Sequence, residues 1–563
     1  MNILEPLYEI CITRMQEFQA ENKNLFKEEL GEISNKYRSN IQYFIFKSII
    51  LRNLYGVDIM AEAIEIAKLR LFLKMVAVVD VDMRADNLGL DPLPDIDFNI
   101  RCGNTLVGYA TEKQLEDSIT FGDMFARRDF KERIQQKLDI VSKTYDTFKW
   151  LQMNQQDNRE AFKEAKRQLH DKLASLNEDL NQHLYGHKPD LGYAPWLDRT
   201  HPFHWVAEFY EIMHNGGFDV IIGNPPYLEK RQISYEVIGY ATGDTSAVHA
   251  YCIERSTQIV NSDGHISMIV PISIVCTQRM VSVQKIIEGN RIAWYSNYAW
   301  RPAKLFDEVN RALSIFISVP SKSDKNKVFT TGYQKWYTET RDILLHLINY
   351  IEYDEKRNSF WVPKLSSNTD ASILAKVIKT DETLDNLIPS YKTNYKLFYR
   401  TTGGLYWKVF TNYSPKFYFN GIAGKSSRET SVYLKDETLS ETMVGFFSSN
   451  LFWWWYTITS NLRDLNPSDI RGIHFPVTIF NDKKLNELSI SLLTDMDKNS
   501  SMLTRIQKGK GETQTQSFKI SMSKPIIDEI DKVLAKHYGF TDEELDFIIN
   551  YDIKYRMGDE LNE

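Results

Sequence analysis

The residues whose types and spacing best suit chemistry are Asn224, Pro225, Pro226 and Tyr227, in the stretch FDVIIGNPPYLEK. They follow an apolar run, residues 218–222, that reads as a strand buried in the centre of a parallel sheet. In open α/β sheets ligands gather just beyond the carboxyl ends of strands, which is where these four residues fall. The Asn224 amide oxygen and the Pro225 carbonyl are two acceptors. Proline has no N–H and a fixed φ, so the acceptors are held in place at little entropic cost. Such a pair suits an exocyclic amino group on a nucleobase. Accepting both amino protons draws the nitrogen toward tetrahedral geometry and makes it a nucleophile, a task for pre-set dipoles. Tyr227 can stack on a base pulled from its helix. A Pro-Pro loop that merely ends a strand is the alternative reading of the same residues.

The surrounding elements have to position that stretch. Residues 1–50 read as helices. YGVDI (55–59) is a short strand closing on Asp58, residues 60–79 have apolar residues at helical spacing, and FNIRCGNTLVG (98–108) is a second strand and turn. Strand–helix–strand order implies an α/β fold with a parallel sheet. Residues 124–183 are long, charged and free of proline, and predict a helical hairpin inserted into the α/β region, its outer faces solvated. The α/β rhythm resumes at 218 and runs through a helix over 245–260, a strand over 265–271, a helix over 279–289 and strands over 292–299 and 313–320. VPSKSDKNK (319–327) reads as a linker. Beyond it the chain is aromatic-rich, and residues 524–558 are helical. There GFTDEEL supplies a Gly stop followed by a Thr cap with an acid three positions on.

Composition limits the partners. The 563 residues carry a net charge of -7, so any nucleic-acid surface has to be local. Between 391 and 480 there are ten Lys/Arg against six Asp/Glu. Cys11, Cys102, Cys252 and Cys276 show no metal-ligand spacing and read as reduced, buried thiols. Neither a signal peptide nor a membrane span is evident, which points to a cytoplasmic protein without a membrane partner.

FHWVAEFYEIMHNGGFDVIIGNPPYLEK (203–230) resembles the catalytic segment of the gamma-class adenine-specific DNA methyltransferases of type IIG restriction–modification enzymes. LYGVDIMAEAIEIAKLRLFL, NIRCGNTLVG, GHISMIVPISIV and KLFDEVNRALSIFI are similar to further motifs of that family, in the same order. The resemblance implies a Rossmann-like methyltransferase sheet, incomplete at its N-terminal strand and so with an exposed central edge, S-adenosyl-L-methionine as cofactor, double-stranded DNA as partner and transfer of a methyl group to N6 of a flipped adenine. It implies that Asp58 and Ile59 hold the cofactor ribose region, that Asn104 contacts the cofactor adenine, and that Tyr227 and Phe306 clamp the target base. Strand-end, turn and core roles stay open for Asp58, Asn104 and Phe306 respectively.

The same resemblance divides the chain into a partial methyltransferase domain (1–123), a helical insertion (124–200), the catalytic half (201–325), a mixed α/β target-recognition domain (326–480) and a C-terminal helical region (481–563). In the target-recognition region Arg400, Lys408, Asn461, Arg463 and Asn466 are the expected DNA contacts, although its aromatics read equally as a core. The family's glycine-rich cofactor turn, of the form DPxCGSGxF, has no counterpart. NILEPLYEICITRMQEF resembles the helix that follows that turn, so the chain is expected to start just downstream of it. A truncated, split or degenerate enzyme is implied, with an upstream polypeptide supplying the cofactor loop and nuclease in the split case. A DNA-binding specificity module without catalysis, a protein-glutamine methyltransferase and cytosine-N4 methylation are the competing readings.

Overall fold

A computed structural model describes residues 3–37, 40–81, 83, 93–119, 124–153, 159–186, 191–322, 326–353, 360–380, 382–402, 406–507 and 511–558. The chain divides into two compact units, one of Met1–Ile221 and Leu228–Gly264, the other of Ile222–Tyr227 and His265–Glu563.

The first unit opens with helices Leu4–Glu21, Lys27–Lys36 and Ile41–Asn53. The last of these buries Ile45, Phe46, Ile49 and Ile50. Strand β1 (Gly56–Asp58) lies parallel to β2 (Ile100–Cys102), with helix Ala61–Val76 between them in sequence. The long helices Met124–Met153 and Arg159–Tyr185 pack on each other through Ile134, Leu138 and Val141 on one side and Leu169, Leu173, Leu176 and Leu180 on the other. Three- and four-residue spacing gives each helix one apolar stripe. Burying each leucine contributes about 2 kcal/mol.

Strands β3 (Phe218–Gly223) and β4 (Val260–Pro271) each start in the first unit and end in the second. With β5 (Arg291–Tyr298), β6 (Leu313–Pro320), β7 (Lys327–Gln334) and β8 (Ile351–Tyr353) they form a six-stranded sheet in the order β3-β4-β6-β5-β7-β8. The sheet is mixed rather than parallel. β6 runs antiparallel to both β4 and β5, β5 pairs β7 in parallel, and β7 pairs β8 antiparallel. The expectation that residues 218–222 form a central buried strand is corrected as well. Among the described residues β3 has a neighbour on one side only, and Val220 and Ile222 are 58% and 77% exposed. An apolar run records affinity for burial, and which strands flank it is decided elsewhere in the chain. The stretch read as a linker, residues 319–327, falls between β6 and β7. Residues 323–325 lie outside the described residues, and β6 and β7 on either side belong to one sheet.

The rest of the second unit surrounds an aromatic core. Helix Asn450–Thr459 is buried along its whole length, with Trp454 and Trp455 at 0% and 1% exposure. The Ser449 hydroxyl caps it by accepting from the Phe452 N–H. The Asp531 carboxylate, from helix Lys524–Tyr538, accepts from the backbone N–H groups of Asn450 and Leu451 and from the Asn450 amide. Helix Lys524–Tyr538 stops at Gly539 with φ 68°, and Thr541 and Glu544 form a reciprocal capping box.

Candidate active site and nucleic-acid interface

Gly223 ends β3, where a Cβ would lie in ordinary contact with the Met268 side chain of β4, so Asn224 to Tyr227 leave the sheet at its edge beside the end of β4. Asn224 is exposed, Pro225 buried, Pro226 exposed and Tyr227 half-buried. The Tyr227 hydroxyl lies 2.8 Å from Asn224 Oδ1 and 3.2 Å from the Ile269 carbonyl oxygen. Burial pushes the Tyr227 phenol up to about 12, against the opposing pull of Arg311, so it keeps its proton and donates. The ring therefore hangs on β4 by its hydroxyl, and the hydroxyl fixes the plane of the Asn224 amide. A carbonyl-type oxygen has two lone pairs, so Asn224 Oδ1 can accept from Tyr227 and from a second donor.

The C-terminal ends of β4 and β5 and the start of β6 share one end of the sheet, since Leu313 pairs with both Pro271 and Tyr298. Residues 299–312 bridge β5 and β6 there. This segment carries Phe306, 37% exposed, and Arg311, whose guanidinium lies 6.0 Å from the centre of the Tyr227 ring. Arg311 is a neighbour of the motif that the sequence reading missed, because one arginine in a loop carries no local signal.

In the first unit Asp58 closes β1 with an exposed carboxylate. One oxygen accepts from the Met60 N–H at 2.8 Å, and Ile59 beside it is 40% exposed. Asn104 is 2% exposed. Its amide donates to the Thr200 carbonyl and accepts from the Leu106 N–H, so both ends of the side chain are engaged in a turn. Arg255 steadies that turn by donating to the carbonyls of Leu106 and Gly108. Gly108 takes φ 124°, and a Cβ there would lie 2.3 Å from the Phe203 carbonyl oxygen, so only glycine fits.

The expected DNA contacts fall into two groups. Arg400 and Lys408 line one cavity of the second unit. Lys408 is buried with its ammonium 4.9 Å over the Tyr456 ring, and burial pushes it down to about 8. Asn461, Arg463 and Asn466 sit on a loop tied to the Arg400 strand, since the Leu465 N–H donates to the Thr401 carbonyl. Arg463 is exposed. Asn461 accepts from the N–H groups of Arg463 and Asp464, and Asn466 caps helix Pro467–Arg471 in a box with Asp469. Those two amides hold the loop in shape. Two cysteines differ from expectation: Cys11 and Cys102 are exposed, while Cys252 and Cys276 are buried. Among the described residues no His/Cys/Asp/Glu group could hold a metal ion, and no helix is long and apolar enough to cross a membrane.

Comparison with known proteins finds likenesses over part of the chain. Residues 52–306 match the family model described as Eco57I restriction-modification methylase. A Methanocaldococcus jannaschii protein named type II restriction enzyme and methyltransferase RM.MjaORFECS2P is 28% identical over 306 residues, 47% of this chain and 24% of that protein. The chain thus spans about a quarter of this relative's length. Among solved structures, the type IIL restriction-modification enzyme MmeI in complex with DNA aligns at 11% identity and TM-score 0.40, over 99% of this chain and 77% of that one. The type IIG restriction endonuclease BpuSI aligns at 10% identity and TM-score 0.23, over 60% and 54%. Over residues 52–306, which include Asp58, Asn104 and the whole Asn224–Tyr227 stretch, the chain is similar to restriction-modification methylases.

Proposed function

We propose that this chain is the modification component of a restriction–modification or related phage-defence system, a site-specific DNA methyltransferase that places a methyl group on N6 of adenine. One observation carries the reading. An exposed asparagine amide and a neighbouring prolyl carbonyl leave the end of a β-strand together, the amide fixed in plane by a tyrosine hydroxyl. That arrangement accepts the two protons of an extruded adenine amino group, while the Tyr227 ring, with Phe306, holds the base. The match of residues 52–306 to restriction-modification methylases supports it. So does a sheet with one antiparallel strand, β6, between β4 and β5, which suits a Rossmann-like methyltransferase core.

S-adenosyl-L-methionine supplies an electrophilic sulfonium methyl group in such chemistry. The exposed Asp58 carboxylate at a strand end suits a ribose diol, and the exposed Ile59 beside it suits the flat face of a purine. Asn104 supports from behind, through the turn it holds. Within residues 326–480, the part beyond β8 serves as the target-recognition domain, with Arg400, Lys408 and Arg463 toward duplex DNA. The open edge of β3, with Val220 and Ile222 in solvent, suits a further strand, which an upstream polypeptide carrying the glycine-rich cofactor turn would bring.

The test is transfer of a tritiated methyl group to DNA by the parent and by Asn224→Ala, with any partner polypeptide supplied. Losing one pre-set acceptor costs about a hundredfold or more in rate while DNA binding persists. Full activity of Asn224→Ala sinks the proposal.

A further inference from the structure

Helix Ala61–Val76 of the first unit carries two apolar faces, and the chain itself covers one of them. Ile64 and Met75 lie on the inner face, 5% and 0% exposed, and share a core with Ile45, Ile49 and Ile50 of helix Ile41–Asn53. On the outer face Ile66, Leu69, Leu73 and Val76 are 58%, 57%, 59% and 52% exposed. With 3.6 residues per turn these four fall in one stripe, roughly opposite the buried face. Single apolar side chains in solvent need no explanation, but four in line form a patch that marks a contact.

Two features of the stripe say what covers it. The first is spacing. Positions 66, 69, 73 and 76 step by three, four and three residues, which are the a and d positions of two heptads. A stripe confined to a and d is narrower than a core-facing one, and is the seam along which one helix packs beside another. Glu62, at the d position before Ile66, ends the seam on its N-terminal side.

The second is charge. In this register Glu65 is a g residue and Arg70 an e residue, one on each flank of the stripe. Two such helices side by side and parallel set the g residue of one against the e residue five places further on in the other. A two-fold axis therefore places each Glu65 against the other copy's Arg70. Phe72 and Ala77 make the next pair of the same kind, an apolar one. An antiparallel pair brings acid flank to acid flank and has neither contact. Both charged partners are accessible. Arg70 is exposed and, among the described residues, in no ion pair. The Glu65 side chain is 73% exposed and meets Lys68 of its own helix at 3.1 Å, and Lys68 keeps Asp97 at 2.7 Å when Glu65 turns outward. The helix is thus complementary to itself in shape and in charge.

We propose that this face binds a second copy of the chain, the two Ala61–Val76 helices lying parallel in a two-fold dimer. The inference stands apart from the methyl-transfer reading and uses none of its residues. Sedimentation velocity on the full chain tests it. Across the micromolar range the mass rises with concentration toward two chains. Leu69→Glu and Leu73→Glu, both at exposed positions, each hold it at one chain, with an unchanged melting temperature in dilute solution. Arg70→Glu sets acid against acid and Glu65→Arg sets base against base, and each weakens the association about tenfold. Glu65→Arg combined with Arg70→Glu restores it, because the pair is only reversed. Ile222→Lys leaves it unaltered, which separates this contact from pairing at the edge of β3. A one-chain mass throughout, an association that Leu73→Glu leaves intact, or no recovery in the double variant overturns the proposal.

Discussion

Tyr227→Phe removes one oxygen and nothing else, so it isolates the contact that fixes the proposed acceptor. The hydroxyl has one proton and two oxygens within reach, Asn224 Oδ1 at 2.8 Å and the Ile269 carbonyl at 3.2 Å. With the proton on Asn224, the amide oxygen is held toward Tyr227 with one lone pair left. With the proton on Ile269, the phenol oxygen accepts from the Asn224 NH2, and the amide oxygen swings outward. Either arrangement fixes the amide plane, and the variant frees it. A hydrogen bond of this kind contributes about 0.5–1.5 kcal/mol net, which at about 1.36 kcal/mol per tenfold is roughly a twofold to tenfold loss. Asn224 is exposed, so no buried polar atom is orphaned and the melting temperature stays put. The ring remains, so stacking and the KM for DNA are unchanged. Initial rates of tritiated methyl transfer, with kcat and KM resolved, read the effect. A kcat equal to the parent's, or a loss wholly in KM, refutes the reasoning, because the hydroxyl would then have no hold on the reacting acceptor.

Three further outcomes follow from the fold. Burial lifts Asp531 to about 7, above its ordinary value near 4. The folded state therefore holds a proton that the unfolded chain releases, and this stability, full below about pH 4, is lost as pH rises through about 7. Asp531→Asn flattens that fall in a melting series from pH 5 to 8, and an unchanged slope rejects the assignment. Ile222→Lys on the open edge of β3 lowers aggregation measured by light scattering without lowering the melting temperature; a melting temperature several degrees lower would mean that the side chain is buried. Thr541→Ala breaks the capping box at helix Asp542–Ile549 and costs about 1 kcal/mol in urea unfolding, whereas a cost near zero would remove the cap from the account.

What the chain made legible is what local rules decide. The stop at Gly539 and the cap at Thr541 depend on six neighbouring residues, Gly539 to Glu544, and both were readable in order. So was the strand over 313–320, and so was the charged helical pair, whose stripe repeats every three to four residues. The open edge of β3 was legible only through the missing cofactor turn, which implied an absent first strand, whereas its own apolar run reads as central and buried. The antiparallel setting of β6 was not legible, because it depends on the strands that pair with it. At the candidate sites residue types were readable but side-chain duties were not. Asn104, Asn461 and Asn466 look like free amides in the sequence, yet each bonds to backbone two or three residues on. The cavity was least legible of all, since Arg400 and Arg556 meet there from distant parts of the chain.

The six residues Ile222–Tyr227 belong to the second unit although the chain on both sides of them belongs to the first. Any chimera that exchanges the polypeptide from His265 onward therefore takes the Asn-Pro-Pro-Tyr loop from one parent and Ile269, the backbone carbonyl that Tyr227 reaches, from the other. Because that contact is made to main chain, the graft preserves it whatever residue the second parent carries there. New C-terminal halves can in this way be inherited without redesigning the loop, provided the length between Gly264 and the end of β4 is kept.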